Sequence, residues 1–297
     1  MFNNILGNQD IKELLTNAVK SGKESHSYLF VGQEGIGKKL IAKEFAKMIL
    51  CTDTENKYCN KCKSCIEFAG GNNPDFQIIE PDGNSLKIEQ IREFESSVAE
   101  KPIISSRKVY IINDSDKMTQ EAQNSLLKTL EEPPEYVTII LIGSNESAYL
   151  DTIKSRCMIL HFNKIPDEEI KKYLQENYQI NIQDNVMLEA FQGSIGKAIV
   201  IQDKQEEYRQ IEDVILNLEN EDKIDLLNNA EPIYKAKDEK FEMLDFINIV
   251  LLNLARKNSK YANCIEIVEN TKKRLKSNAN YDMSIDNMLL KLWEQVN

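Results

Sequence analysis

The chain has 297 residues, enough for two or three domains that each bury a core. Hydrophobic residues make up 41% and charged residues 29%, the mix of an ordinary globular protein, and the formal net charge is −11. This acidic balance argues against a protein that holds DNA through its own basic surface, and it favours protein partners. The amino terminus lacks a cationic start followed by an apolar stretch, and no apolar run of about 18 residues could span a bilayer. We therefore expect a cytoplasmic chain with no membrane contact.

Five short apolar runs in the first half predict β-strands that are covered on both faces. They are Tyr28–Val31, Phe76–Ile79, Val109–Ile112, Val137–Ile142 and Met158–Phe162. Because these runs largely lack polar alternation, they favour a parallel sheet with helices on each side. Helical patterns lie between them, including one with Thr119 as its N-cap and Pro133-Pro134 as its stop. The fold class predicted for residues 1–163 is therefore an α/β domain with a five-stranded parallel sheet.

Beyond residue 163 the strand patterns end and only helical patterns follow. Two segments, Asp167–Asn177 and Asn185–Gln192, and a third helix starting near Ser194 predict a small helical domain over residues 164–204. Residues 205–297 are predicted to form a C-terminal helical bundle. Within them the run FEMLDFINIVLLNLARK is apolar on most sides, as expected of a buried central helix.

Four of the six cysteines lie close together in the pattern C-x7-C-x2-C-x2-C, as Cys51, Cys59, Cys62 and Cys65. In a cytoplasmic chain, clustered cysteines are more often metal ligands than disulfides. Four thiolates give a closed tetrahedral zinc site, with Zn–S distances of about 2.3 Å and no open position for a water nucleophile. We predict a structural zinc module over residues 51–65, with an iron–sulfur cluster as the alternative.

A phosphate-loop pattern follows the first predicted strand and contains Gly32, Gly35, Gly37 and Lys38. It matches G-x-x-x-x-G-K-[ST] up to its last position. Glycines there let backbone N–H groups face a phosphate at a helix N-terminus, and Lys38 would reach the terminal phosphates. The last position should supply a hydroxyl that ligates magnesium, but it holds Lys39, which has no acceptor and carries a positive charge.

A second defect follows the third predicted strand, at Asn113-Asp114. An active ATPase of this kind presents Asp-Glu there, one for the metal and one to orient the attacking water. Asn113 carries no charge to hold a metal, and Asp114 is shorter than the expected glutamate. Both defects predict that ATP binding by this chain is weak or absent. A working loop with tolerated substitutions is the alternative.

Several motifs together resemble the bacterial clamp-loader AAA+ family. They are the degenerate phosphate loop, the four cysteines, the segment LLKTLEEPP at Leu126–Pro134 and the tripeptide Ser155-Arg156-Cys157. Residues 108–157 are especially similar to that family. Asn73-Pro74-Asp75 and Lys87-Ile88 are similar to its delta-prime branch. The resemblance extends over residues 5–200, and beyond them the chain matches only in being helical.

The resemblance implies a subunit of the DNA polymerase III clamp loader, in which five subunits form a ring with ATP at their interfaces. It implies an AAA+ domain over residues 1–163, a lid over 164–204 and a collar over 205–297. Tau/gamma and delta subunits would be direct partners, and the sliding clamp and primer-template DNA indirect ones.

In that family the arginine of Ser-Arg-Cys reaches the nucleotide of the next subunit. Arg156 would therefore act in trans as an arginine finger for a tau/gamma neighbour. The family also has an arginine in the lid that senses the subunit's own nucleotide, and this position corresponds to Gly196. Ser144 and Asn145 fall where the family's first sensor lies.

Three functions compete at this point. The leading hypothesis is a non-hydrolysing ring member of a DNA polymerase III holoenzyme, with no catalysis by the isolated chain. The second is an active tau/gamma-like ATPase of the same ring. The third is a zinc-dependent nucleic-acid-binding module. The acidic balance and the lack of interleaved basic and aromatic residues around Cys59–Cys65 argue against this third function.

Overall fold

The computed structural model describes residues 2, 5–53, 55, 57–182 and 184–297. The chain divides into two compact units. The first unit is Met1–Ile170 with Gly193–Gly196, and the second is Lys171–Gln192 with Lys197–Asn297. The three-domain division with boundaries near residues 163 and 204 stays a prediction.

The first unit contains a five-stranded, all-parallel sheet in the order β2-β3-β4-β1-β5. All five predicted strands are present, with bounds that differ by at most one residue from the expected ones. They are β1 Ser27–Val31, β2 Phe76–Ile79, β3 Lys108–Ile112, β4 Val137–Gly143 and β5 Met158–His161. The α/β class predicted for this part of the chain is confirmed.

Helices cover both faces of the sheet, as the apolar strand pattern predicted. Alternate residues of a strand enter opposite layers: Tyr28 packs with Phe45 of α2, whereas Leu29 packs with Phe94 of α4 and Leu126 of α5. The helices of this part are α1 Gln9–Ser21, α2 Lys38–Leu50, α3 Lys63–Ala69, α4 Ile88–Val98, α5 Gln120–Glu131 and α6 Asp151–Lys154, with 3-10 turns at Ser115–Lys117 and Glu146–Ala148.

Helix α5 begins and ends where the sequence predicted. Thr119 is its N-cap, and the Thr119 hydroxyl accepts a hydrogen bond from the N–H of Ala122 at 3.3 Å. The helix ends at Glu131, two residues before Pro133, since a residue that precedes proline is disfavoured in helical geometry. Its last residue, Glu131, lies beside Arg156.

The remainder of the chain is helical, as predicted. Helix α13 buries six of its residues and packs against α8, α10 and α14, in agreement with the expected central helix. The helices are α7 Asp167–Tyr178, α8 Asn185–Phe191, α9 Ile195–Asp203, α10 Gln205–Leu216, α11 Lys223–Asn229, α12 Glu231–Lys235, α13 Lys240–Lys257, α14 Ala262–Lys276 and α15 Tyr281–Val296, with 3-10 turns at Ala236–Glu239 and Ser259–Tyr261. Among the described residues, no helix is both long and apolar enough to cross a membrane.

Candidate functional site

The four clustered cysteines come together in space. Their Sγ atoms all lie within 4.8 Å of one another, and those of Cys51 and Cys59 are 3.6 Å apart. A tetrahedral site with Zn–S distances of about 2.3 Å places its sulfurs about 3.8 Å apart. The spacing therefore fits one metal ion, whereas a cluster of several irons requires sulfurs that lie further apart.

The chain shapes the cysteine cluster through backbone N–H groups. The Sγ of Cys59 accepts hydrogen bonds from the N–H groups of Lys61 and Cys62, at 3.4 and 3.3 Å. Cys62 is the N-cap of α3, and its Sγ accepts from the N–H of Cys65 at 3.4 Å. Such N–H···S contacts orient metal ligands.

The thiols of the cluster differ in their acidity. Burial raises the pKa of Cys51 and of Cys65. Burial also opposes ionisation of Cys62, but hydrogen bonds from Thr52 and from the N–H of Cys65 lower the pKa of its thiol to about 6. Four thiolates this close repel one another, so the fully ionised cluster requires a cation.

A buried polar network ties the cysteine cluster to the sheet. The carboxylate of Asp75 accepts hydrogen bonds from three successive N–H groups, of residues 103, 104 and 105, at 2.6, 2.7 and 2.6 Å. The amide of Asn73 donates to the carbonyl and hydroxyl of Ser64 in α3, both at 2.9 Å. The hydroxyl of Ser105 donates to the carbonyl of Leu50 at 2.8 Å, immediately before Cys51. The segment Asn73-Pro74-Asp75 therefore connects α3 to residues 103–105.

Gly32, Gly35, Gly37 and Lys38 form one loop at the N-terminus of α2, but the lysine points back onto this loop. Its Nζ donates to the carbonyl of Gly32 and, at 2.7 Å, to that of Gln33. The residue is only 7% exposed, and burial lowers the pKa of Lys38. The ammonium group therefore already has carbonyl partners in its own chain.

Gly196 packs directly on this loop. Its N–H donates to the carbonyl of Gly35 at 3.3 Å, and a Cβ at position 196 would lie 3.2 Å from the Cα of Gly35. The resemblance placed the family's nucleotide-sensing arginine at this position. In this chain the backbone takes that space, and a side chain would press on the loop.

The two positions that the sequence marked as defective also have partners in the chain. Lys39 forms an ion pair with Glu80 at the end of β2. Asp114 has left-handed backbone geometry, with φ 47°, and pairs with Lys117 at 3.1 Å. The N–H of Asn113 donates to the carbonyl of Ile79 at 2.9 Å.

The two candidates for the first sensor both contact Asp116. The Asp116 carboxylate accepts from the N–H and hydroxyl of Ser144, at 3.0 and 2.9 Å, and from the N–H of Asn145 at 2.9 Å. The side-chain oxygen of Asn145 accepts from Ser147 instead. These bonds fix the end of β4.

Arg156 lies just after α6, and its side chain is 32% exposed. Its NH2 group donates to a carboxylate oxygen of Glu131 at 2.5 Å, and NH1 donates to the carbonyl of Thr152 at 2.9 Å. The following Cys157 packs against the core, and burial raises its pKa to about 12. The charged side chain of Arg156, which solvent can reach, is thus followed by a residue that is packed in the core.

Two contacts at the candidate site were missed at the level of sequence. Glu131 belongs to the LLKTLEEPP segment, but only the fold brings it to Arg156. A signal was present, because a carboxylate is disfavoured at the negative C-terminal end of a helix and needs a compensating partner. The second contact is the one between Asp75 and the N–H groups of residues 103–105, and no local sequence signal indicates these three donors.

The fold and the loop define this chain as an AAA+ P-loop protein with a helical C-terminal region. The profile of the family described as "DNA polymerase III, delta subunit" matches residues 7–166. The chain belongs to this family. The resemblance stated from the sequence is confirmed at this level.

Two of the curated proteins that this chain resembles are DNA polymerase III subunits. DNA polymerase III subunit delta' of Bacillus subtilis is 37% identical over 166 residues, which cover 56% of this chain and 50% of that protein. Subunit tau/gamma of Haemophilus influenzae is 35% identical over 213 residues, covering 68% of this chain and 30% of that protein. A gamma subunit-related protein of Thermotoga maritima aligns with a TM-score of 0.49 at 18% identity, over 95% of this chain and 99% of that one. The chain thus aligns with half or less of these two curated relatives.

Proposed function

We propose that this chain is a delta-prime-type subunit of a DNA polymerase III clamp loader that does not hydrolyse ATP itself. In this role it joins tau/gamma and delta subunits in a five-membered ring and presents Arg156 to the ATP of a tau/gamma neighbour. The sliding clamp and primer-template DNA are reached through the ring. Family membership and the two curated relatives support the assignment to a clamp loader.

The observation that carries this proposal is the inward engagement of the chain's own phosphate loop. A bound triphosphate would need the Lys38 ammonium, which already donates to two loop carbonyls. It would also need the loop to accommodate phosphate where Gly196 packs on Gly35. Because these contacts must be broken before a phosphate binds, the affinity for ATP is reduced by the free energy of breaking them. Weak or absent ATP binding follows.

Arg156 supports the second half of the proposal. Guanidinium is planar, permanently charged and suited to forked contacts with phosphate oxygens. Arg156 is one-third exposed on a short helical turn, and its carboxylate partner Glu131 is half exposed. An arginine supplied from a neighbouring subunit accelerates phosphoryl transfer by about 10³–10⁵ where measured.

The four cysteines would hold a structural zinc ion. A site closed by four thiolates leaves no position for a reacting water, so the ion would supply stability rather than catalysis. Cys51 follows α2, and Cys62 begins α3, so the ion would join these two helices. The side-chain hydrogen bonds of Asn73 and Asp75 connect the same region to β2 and residues 103–105.

The proposal is tested by DNA-stimulated ATP hydrolysis in a ring reconstituted with tau/gamma and delta subunits. Arg156→Ala should leave assembly intact and remove most of the turnover at the neighbouring site, by about 10³-fold or more. Lys38→Ala is the matched control, a cation removed from this chain's own loop, and should leave the rate unchanged. An unaltered rate with Arg156→Ala would reject the in-trans role.

An active tau/gamma-like ATPase is the second candidate, because the alignment with the tau/gamma subunit is the longer of the two. The loop glycines also keep the backbone geometry of a phosphate loop, with φ 76° at Gly35 and 92° at Gly37. Magnesium-dependent hydrolysis by the purified chain, abolished by Lys38→Ala, would establish this alternative.

A further inference from the structure

Arg156 has a specific acidic partner in its own chain. Its NH2 group donates to Glu131 at 2.5 Å, while NH1 donates to the carbonyl of Thr152 at 2.9 Å and to the hydroxyl of Ser155 at 3.3 Å. Thr152 and Ser155 belong to the turn that carries the arginine, whereas Glu131 is 25 residues away in sequence. The ion pair is therefore the tertiary contact that fixes the direction of the side chain.

The position of Glu131 in its helix is electrostatically unfavourable. It is the last residue of α5, and Glu132 is the C-cap. The C-terminal end of a helix carries a partial negative charge, so two adjacent acids there destabilise it. Glu131 gains a compensating cation from Arg156, whereas Glu132 makes no ion pair in the part of the chain that the structure describes.

Helix α5 also holds the other end of α6. The buried amide of Gln123 donates to the carbonyl of Ala148 at 2.9 Å, and its oxygen accepts from the N–H of Leu150, also at 2.9 Å. Leu150 is the N-cap of α6. Gln123 and Glu131 are eight residues apart, about 12 Å along the helix. One helix therefore fixes both the start of the α6 turn and the guanidinium that follows it.

These contacts leave part of the guanidinium available to an outside anion. Guanidinium has five N–H donors in a fixed plane. Among the described residues, the contacts engage both hydrogens of NH1 and one of NH2. The second NH2 hydrogen and Nε–H remain for another acceptor. The guanidinium group of Arg156, which Glu131 holds along one edge, can thus still donate to a phosphate through its remaining N–H groups.

We propose that Glu131 is a positioning residue for Arg156: its carboxylate holds the guanidinium in the orientation that meets the neighbouring subunit's triphosphate. This role rests on the proposed function of Arg156. A pre-oriented arginine loses less side-chain entropy when the transition state forms, and a misplacement of about 1 Å can lower a rate by about 10²-fold. Glu131 itself does not contact the nucleotide.

The test uses the reconstituted ring, with steady-state, DNA-stimulated ATP hydrolysis measured against ATP concentration as the readout. Glu131→Ala and Glu131→Gln are compared with Glu132→Ala, which removes the adjacent acid, and with Arg156→Ala. We expect Glu131→Gln to lower kcat about two- to fivefold, as for loss of a partly exposed ion pair, and Glu131→Ala to lower it further. The KM for ATP should stay constant, and Glu132→Ala should have no effect.

A double variant separates positioning from a general structural role. In the Arg156→Ala background, Glu131→Ala should cause no further loss, because the carboxylate then has nothing to orient. An additional loss there, an unchanged rate with Glu131→Ala alone, or a faster rate, as expected of an inhibitory latch, would each overturn the inference. If Arg156→Ala itself has no effect, the proposed function fails first. If only the Glu131 variants have no effect, the inference fails alone.

Discussion

Helix α2 has a loop with possible ligand-binding groups at each of its two ends. The two loops differ in whether these groups are free to bind a ligand or already bonded within the chain. At its N-terminus the phosphate loop directs Lys38 onto the loop's own carbonyls. At its C-terminus Cys51 begins a cluster of four thiols that converge on one point. The helix dipole suits an anion at the first end and a cation at the second. Only the cysteine end leaves its ligand groups turned toward a common centre.

The difference shows what a motif does and does not specify. Glycines with positive φ give the phosphate loop its shape, and the C-x2-C-x2-C spacing brings three sulfurs together. Shape is thus retained at both ends of α2. Whether the groups of a loop are free to bind a ligand depends on partners elsewhere in the chain, such as Gly196, which packs on Gly35. Variants at the two ends should therefore have effects of different size and kind.

The largest expected effect comes from the cysteine end. Cys62→Ser should abolish metal binding, because three thiolates no longer close the tetrahedron. Since binding free energy at a structural site contributes directly to folding, we expect the melting temperature to fall by about 10 °C. Metal content is measured by atomic emission spectroscopy and the melting temperature by calorimetry.

Cys157→Ser provides the matched control, because this thiol lies outside the cluster. It should leave one metal ion per chain, whatever its effect on packing. Recovery of a wild-type protein that is free of metal and equally stable after chelation would contradict the metal site, and the thiols would then have to be neutral.

A smaller effect is expected where the chain itself holds the cysteine region. Asp75→Asn replaces a carboxylate that accepts three N–H bonds by an amide, which offers one oxygen and turns donors toward donors. We expect a loss of about 2 kcal/mol in the free energy of unfolding, measured in urea. Metal should remain bound at one ion per chain. Loss of the metal together with stability would show that the hydrogen bonds of Asp75, and not the ion, bring the sulfurs together.

The parts of the fold set by local pattern were predictable from the sequence. Strands that are apolar on both faces, such as Val137–Gly143, can only lie inside a covered sheet, and Thr119 and Pro133 fixed the ends of α5. Bounds at other elements shifted by one residue, because terminal backbone hydrogen bonds depend on neighbouring segments. An example is Lys108, whose N–H donates to the carbonyl of Tyr136 and so extends β3 by one residue.

The candidate site was predictable only as a set of residue types. The cysteine spacing was enough to predict that the four thiols come together, since three of them, Cys59, Cys62 and Cys65, are close in sequence. The acidic partners of Arg156 and Lys39 were not predictable, because they lie in segments that are distant in sequence and meet these residues only in the folded chain. Glu80, for example, lies at the end of β2, 41 residues from Lys39.

The smallest expected effect tests whether the phosphate loop can be repaired at one position. Lys39→Thr restores the hydroxyl of the phosphate-loop pattern and removes the half-exposed ion pair with Glu80, which should change stability by less than about 1 kcal/mol. It should not produce magnesium-dependent ATP hydrolysis, because Asn113 still supplies no carboxylate and Gly196 still packs on Gly35. Lys39→Ala is the control that removes the ion pair without adding a hydroxyl. Hydrolysis with Lys39→Thr but not with Lys39→Ala would mean that the inward contacts of the loop open readily, and that one missing ligand had kept it inactive.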